Sequence, residues 1–172
     1  MRKIILYIAT SIDGYIARPD GGIDWLFTDQ DYGYREFFST IDTVVMGRKT
    51  YEQALAFGAY PYAGTEGYVY SRTRSGRAGE QARFVSGDPA ALAAQLRARS
   101  GKNIWLVGGA KVVEAFMAAD LIDDYVISVH PVVLGSGIPL FRPPLTTTWL
   151  QFVDVTTFNT GLVQTTYSRK QR

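Results

Sequence analysis

The chain contains no cysteine, and its 172 residues include a single histidine, His130. The first absence excludes disulfides, thiolate nucleophiles and cysteine metal sites. The second excludes a zinc site built on several histidines, so no metal is expected. Net charge is also small: 18 Lys and Arg against 16 Asp and Glu leave +2. That is too little for a nucleic-acid or membrane-surface footprint. No apolar stretch approaches the roughly 20 residues that span a bilayer. The opening "MRKIILYIATSIDG" imitates a signal peptide, but its apolar run meets Ser11 and Asp13 early and reads as a first strand. The expectation is a cytoplasmic protein with no nucleic-acid and no membrane partner.

What is present is an ordinary globular mix, 47% apolar and 20% charged. One domain over residues 1–172 is expected, with no linker or repeat. Ile4 to Ala9 reads as a buried strand, Asp13-Gly14 as a turn before a short "YIA" stretch, and "RPDGGIDW" as loop. "QDYGYREFFSTI" spaces Tyr34, Phe37, Phe38 and Ile41 as a helix does. Thr43 to Met46 is a second buried strand, and "GRKTYEQALAF" a helix ending near Gly58. "GYVYS" and "RFVS" are strands on either side of the basic loop "SRTRSGRAGEQ". "DPAALAAQLRAR" has Asp88 to cap a helix, Pro89 for its first position, and Arg97 and Arg99 for its last turn. "NIWLVGG" and "AKVVEAFMAA" follow as strand and helix. "DDYVISVHPVVL" reads as a long strand and "GSGIPLFRPP" as loop. A hairpin closes the chain around Asn159-Thr160-Gly161. The order predicts an α/β fold with a mainly parallel sheet and an antiparallel C-terminal hairpin.

Three strand ends carry unusual chemistry. In "WLVGGAKVVEAF", Gly108 and Gly109 stand between a buried strand and a helix. A helix N-terminus presents free N–H groups and partial positive charge, and glycine removes the Cβ that keeps a phosphate away. The alternative is a tight turn with no ligand. In "VVMGRKTYE", Gly47 is followed by Arg48, Lys49 and Thr50. Cations in a first turn oppose the macrodipole unless an anion sits there, or unless they simply extend into water. In "VYSRTRSGR", Ser71 and Arg72 leave a strand beside Arg74 and Arg77. Arginine suits phosphate, although a solvated loop is the commoner meaning of such a run. Together the three describe a ligand with several phosphates, and NADPH fits. The G-x-G-x-x-G of standard dinucleotide folds is absent.

With these residues, the chain resembles the dihydrofolate-reductase-like superfamily, a three-layer α/β/α fold. That superfamily includes the RibD C-terminal domain, the reductase of bacterial riboflavin biosynthesis. "SIDGYIA", Trp25 in "GGIDWL" and "LIDDYVISVHPVVLGSGIPLF" resemble the riboflavin reductase. "VVMGRKTYE" resembles the dihydrofolate reductases, and "VGGAKVVEAF" suits both. The resemblance implies backbone contacts from Ala9 to the nicotinamide carboxamide, with Asp13 and Gly14 lining the loop over the ring. It implies Gly47, Arg48, Lys49 and Thr50 on the pyrophosphate and adenosine side. It further implies Ser71 and Arg72 at the 2′-phosphate, and Val107, Gly108, Gly109, Ala110 and Lys111 at the pyrophosphate.

The activity implied is an NADPH-dependent reductase, 5-amino-6-(5-phosphoribosylamino)uracil reductase-like or dihydrofolate-reductase-like. It would transfer hydride to a pyrimidine- or pteridine-type heterocycle or imine. The riboflavin reductases carry an acidic D-D-P-x-L-x-x-R-like stretch where this chain has "GRKTYEQA". The reduced ring also needs a proton, from a carboxylic acid or a water it orients. Asp31 is the candidate, with Asp29 and Asp24 behind it, and a helix N-terminal carboxylate is its plainer reading. Trp25 either closes on substrate or anchors the core. His130 reads as structural, with Ser128 on the same side of its strand. The rival reading is a nucleotide-binding regulatory or scaffold protein that keeps the cleft without turnover. The long strand Tyr125 to Leu134 and the apolar hairpin are expected to pair subunits, and the resemblance implies a homodimer.

Overall fold

In the computed structural model, which describes residues 1–170, the buried apolar runs form a twisted sheet covered on both faces. Gln171 and Arg172, the end of the expected domain, lie outside the described residues. In chain order the elements are β1 (Ile4–Ser11), β2 (Tyr15–Ala17), α1 (Tyr34–Ser39), β3 (Ile41–Gly47), α2 (Arg48–Ala56), β4 (Glu66–Tyr70), β5 (Gly76–Arg77) and β6 (Ala82–Val85). Then come α3 (Pro89–Arg97), β7 (Asn103–Gly108), α4 (Ala110–Ala118), β8 (Asp124–His130), β9 (Ile138–Pro139), β10 (Leu150–Thr157) and β11 (Val163–Arg169). Among the described residues no helix is long and apolar enough to cross a membrane.

The main sheet runs β10-β11-β8-β1-β7-β3-β4-β6-β5. From β8 to β6 every pairing is parallel. The hairpin β10–β11 joins β8 antiparallel, and β5 lies antiparallel on β6. Parallel strands need both faces covered. One face packs Ile4, Leu6, Val45, Ile104 and Leu106 under α3 and α4. The other packs Ile5, Val44, Met46 and Trp105 under α1 and α2. This is the three-layer, dihydrofolate-reductase-like architecture expected.

Five local expectations need correction. The strand expected to reach Leu134 stops at His130, because Pro131 has no N–H for the ladder. β8 also has β1 on one side and β11 on the other, so it offers no edge to a second subunit. The first helix begins at Tyr34, not at Gln30, because Gly33 adopts φ 79° as its N-cap. The stretch "GSGIPLFRPP" is not all loop: Ile138–Pro139 pairs with β2 in a separate two-stranded sheet. Likewise, the basic loop contains the short strand β5.

Trp105 on β7 ties α1 to the sheet. Its Nε1 donates to the Tyr7 carbonyl at 2.9 Å. Its ring meets Phe37 at 5.3 Å, Tyr34 at 5.9 Å and Tyr62 at 5.3 Å, all edge to face. α1 has only six residues and no fully buried one, so these contacts must supply what its own turns do not. Trp105→Ala is therefore expected to cost about 3–5 kcal/mol of stability, read as a lower urea midpoint.

Candidate active site at the carboxyl edge of the sheet

β1, β7, β3 and β4 all point their carboxyl ends the same way, where open α/β sheets bind ligands. At that edge two strand–helix junctions touch. A Cβ on Gly47 would stand 3.2 Å from Val112 Cγ2 and 3.9 Å from both the Gly108 carbonyl oxygen and the Gly109 nitrogen. A Cβ on Gly109 would stand 3.3 Å from Thr50 Oγ1. The missing Cβ atoms thus bring the N-termini of α2 and α4 side by side. The bond between Gly108 and Gly109 is cis.

Neither helix start is satisfied by a described side chain. Gly47 and Gly109 are the N-caps, and neither first turn contains an acid. α3 follows the opposite rule: Asp88 accepts from the Ala90 amide at 2.9 Å, with Pro89 at the first position. The same chain therefore caps a structural helix with a carboxylate and leaves two adjacent ones open, with Lys49 and Lys111 in their first turns. Those free amides and the partial positive ends are complementary to an anion. Lys49, Lys111 and Arg72 pair with no described carboxylate. Arg48 does pair, with Glu52 at 3.0 Å, and Arg74 meets the same Glu52 at 3.3 Å. Thr50 lies between the two junctions. Ser71 is buried, and its Oγ accepts from the amides of Thr73 at 3.3 Å and Arg74 at 3.0 Å. It shapes the turn that carries Arg72.

Ala9 lies on β1 in register with Ser128, on the α1 side of the sheet. Val107 lies on the same side near the end of β7. Asp13 joins two loops: its carboxylate accepts from Ser11 Oγ at 2.6 Å and from the amides of Leu134 at 3.1 Å and Gly135 at 2.8 Å. The Ser11 hydrogen bond, with those amides, holds its pKa below the ordinary carboxylate value. Gly14, at φ 82°, turns the chain into β2.

Asp31 precedes α1 and is exposed. It accepts from the Arg35 amide at 3.2 Å and meets the Arg35 guanidinium at 3.5 Å. Trp25 is buried, edge-on to His130 at 5.2 Å, and its Nε1 has no partner among the described residues. Phe27 covers His130 at 5.0 Å, and His130 Nδ1 lies 3.2 Å from the Ser128 carbonyl. Asp29 bonds the Tyr32 hydroxyl at 2.7 Å, and Asp24 holds Arg18 through both carboxylate oxygens at 2.6 and 2.9 Å.

Two polar residues near Asp31 escaped the reading of the chain: Tyr7 and Gln164. Gln164 Nε2 donates to Ser128 Oγ at 2.9 Å and to the Tyr7 hydroxyl at 3.3 Å. Tyr7 lies flat on Phe37 at 4.1 Å, and burial raises its pKa. A period-two count back from Ala9 reaches Tyr7. Nothing local marks Gln164 except a polar side chain inside an otherwise regular hairpin.

Fold and edge geometry define the class: a dihydrofolate-reductase-like α/β protein with two uncapped helix N-termini abutting at the carboxyl edge of its sheet. The chain belongs to the RibD C-terminal domain family, whose model matches residues 2–164. It is similar to two uncharacterized proteins of Bacillus subtilis (strain 168). YwjB is 45% identical over 145 residues, 82% of this chain and 83% of its own length. YyaP is 35% identical over 178 residues, 96% of this chain and 94% of its own length. Among solved structures, one from Shewanella sp. PV-4, of a protein provisionally assigned to riboflavin biosynthesis, superimposes with TM-score 0.88 at 32% identity, covering 98% and 99% of the two chains. A diaminohydroxyphosphoribosylaminopyrimidine deaminase/5-amino-6-(5-phosphoribosylamino)uracil reductase of Thermotoga maritima shares the fold. Its TM-score is 0.74 at 17% identity, over 98% of this chain and 57% of that one.

Burial lowers the His130 pKa from the ordinary 6.5. A histidine depressed in the folded state takes up its proton first in the unfolded chain, so its contribution is complete above pH 6.5 and falls below it. Stability is expected to drop as pH falls below about 6.5, and His130→Phe is expected to flatten that slope. Urea titrations at several pH values read both.

Proposed function

We propose that this protein is an NADPH-dependent reductase that passes hydride to a pyrimidine- or pteridine-type heterocycle or imine. The observation that carries this reading is the pair of abutting, uncapped helix N-termini at Gly47 and Gly109, with lysines in their first turns. The cradle fits a pyrophosphate, because the Cβ atoms that would crowd it are absent. NADPH, when bound, supplies the hydride. The chain's part is to bind and orient.

In this reading the amides of α2 and α4, with Lys49, Thr50, Ala110 and Lys111, hold the pyrophosphate, and Arg48 stands on the adenosine side. Arg72, positioned by the Ser71 turn, meets the 2′-phosphate. The backbone at Ala9 holds the nicotinamide carboxamide, with Val107 beside it. Asp13 fixes the loop containing Gly14 over the ring. Asp31 supplies the proton, directly or through a water, at the mouth of the cleft. Trp25 and His130 shape the wall behind it. The reaction named for the Thermotoga relative, reduction of an aminouracil derivative, belongs to the same chemical class.

Titrations with NADPH and NADH, followed by tryptophan fluorescence, test this. NADPH is expected to bind at least ~10-fold tighter, because a hydrogen bond to a charged group contributes about 1.5–3 kcal/mol. Arg72→Ala is expected to erase most of that preference. No binding of either cofactor would return both junctions to plain turns. Binding with no substrate-dependent oxidation would favour the regulatory or scaffold reading.

The same reading includes a homodimer. With β8 closed on both sides, the surface for a second copy is the free edge of β10, which exposes Phe152, Val153 and Val155. Sedimentation velocity is expected to give a dimer, and Val153→Lys to shift it toward monomer.

A further inference from the structure

We propose that Gln164, Ser128 and Tyr7 form the substrate-reading face of the cleft, and that they select a neutral, unphosphorylated heterocycle through a ring carbonyl next to a ring N–H. This rests on the reductase reading for the place of the cofactor, and otherwise on the groups themselves.

Placement comes from strand register. Ala9 on β1 pairs with Ser128 on β8, and Ser128 pairs with Gln164 on β11. Residues paired across adjacent strands share a face. The three therefore form one row across the sheet, and Tyr7, two residues before Ala9, shares that face. A nicotinamide held at Ala9 would have this row beside it. A ring that receives hydride there must lie against Ser128, Gln164 or the Tyr7 hydroxyl.

Unspent hydrogen-bond capacity supplies the chemistry. The Gln164 amide nitrogen is used on Ser128 Oγ and the Tyr7 hydroxyl. Both oxygens accept from it, so both hydroxyl protons remain to be donated, and neither is donated to a described residue. Gln164 Oε1 accepts nothing from a described residue, and the absent side chain of Gly33 leaves room next to it: a Cβ there would stand 4.0 Å away. Ser128 is only 6% exposed, and its Oγ has Gln164 as its one described partner. Two free donors and one free acceptor at a single point are the complement of a carbonyl adjacent to an N–H. Phe37, stacked on Tyr7, and Trp105, edge-on to it at 5.9 Å, hold the phenol in place.

Charge excludes a phosphate from this end. Of the cations with no described carboxylate partner, Lys49, Arg72 and Lys111 stand at the cofactor end, whereas Arg77 lies on β5, Lys102 before β7 and Lys170 after β11. Near the row, Arg35 is engaged by Asp31 and Arg18 by Asp24. Asp31 itself would repel a phosphate. A phosphorylated sugar on the substrate would meet a carboxylate and neutral groups.

Isothermal titration of the full chain, with and without NADPH, tests this using four probes. These are a pteridin-4-one, its 4-methoxy counterpart lacking the ring N–H, and a ribosylaminouracil with and without its 5′-phosphate. The pteridinone is expected to bind ~10-fold or more tighter than the methoxy compound, because a site built to hydrogen-bond a group rejects the analogue lacking it. The unphosphorylated aminouracil is expected to bind tighter than the phosphorylated one. Gln164→Leu and, independently, Ser128→Ala are expected to bring the lactam preference to within ~3-fold while NADPH affinity stays unchanged. Equal binding of the methoxy compound, an unchanged preference in both variants, or tighter binding of the phosphorylated probe would overturn the proposal. Failure of every lactam probe in a protein that binds NADPH would overturn it too and leave the cofactor reading intact. Lactam discrimination that depends on Gln164 in a protein that does not bind NADPH would support this face and sink the reductase reading.

Discussion

The contact between two strand–helix junctions governs the carboxyl edge of the sheet. Gly47 fits against Val112, and Gly109 against Thr50, at distances that leave no room for another carbon without displacement. That contact sets the spacing of β3 and β7 at their carboxyl ends and the direction of α2 and α4. It also concentrates two partial positive helix ends in one place, which costs free energy while nothing negative is near. Neither helix relieves this with a carboxylate, although α3 shows that the chain can do so with Asp88. The carboxylate on α2, Glu52, is engaged by Arg48 and Arg74, so the junction keeps two open helix ends.

The region around β1, β8 and α1 is built differently. It is organised by neutral hydrogen bonds and aromatic packing. Asp13 ties the β1–β2 loop to the segment after β8, and the buried Trp25–His130 contact holds the glycine-containing loop against β8. Trp105 fixes α1, and α1 in turn fixes both Asp31 and the ring that covers Tyr7. The two regions therefore differ in electrostatics as well as position: fixed positive ends and free cations on one side, and on the other a carboxylate with neutral donors and acceptors. An anionic cofactor and a neutral ring would be sorted to their own ends by that difference.

Much of this was legible in the chain because it is encoded locally. The Asp88-Pro89 start of α3, the hairpin around Asn159-Thr160-Gly161 and the buried strands follow from caps, turns and apolar runs that need no distant partner. The glycine junctions were legible for the same reason. The misread elements were those where one backbone detail outweighs the pattern. Gly33 delays α1, and Pro131 ends β8 ahead of an apolar run that otherwise continues. The short pairing of β2 with β9 has too few residues to leave any pattern.

The sequence by itself determined which core strands are buried, how α2, α3 and α4 begin, and which kinds of chemistry are closed to a chain with no cysteine and one histidine. Only the tertiary structure decided what stands beside what. Tyr7 and Gln164 are 157 positions apart, yet they share a hydrogen bond because β11 inserts against β8 and β8 against β1. Gly47 meets Val112 because β3 and β7 are neighbours in the sheet. Local pattern reports whether a residue is buried and how its own backbone turns. Strand order is settled by hydrogen bonding and packing among segments far apart in the chain, and it is strand order that assembles the row Ala9, Ser128 and Gln164.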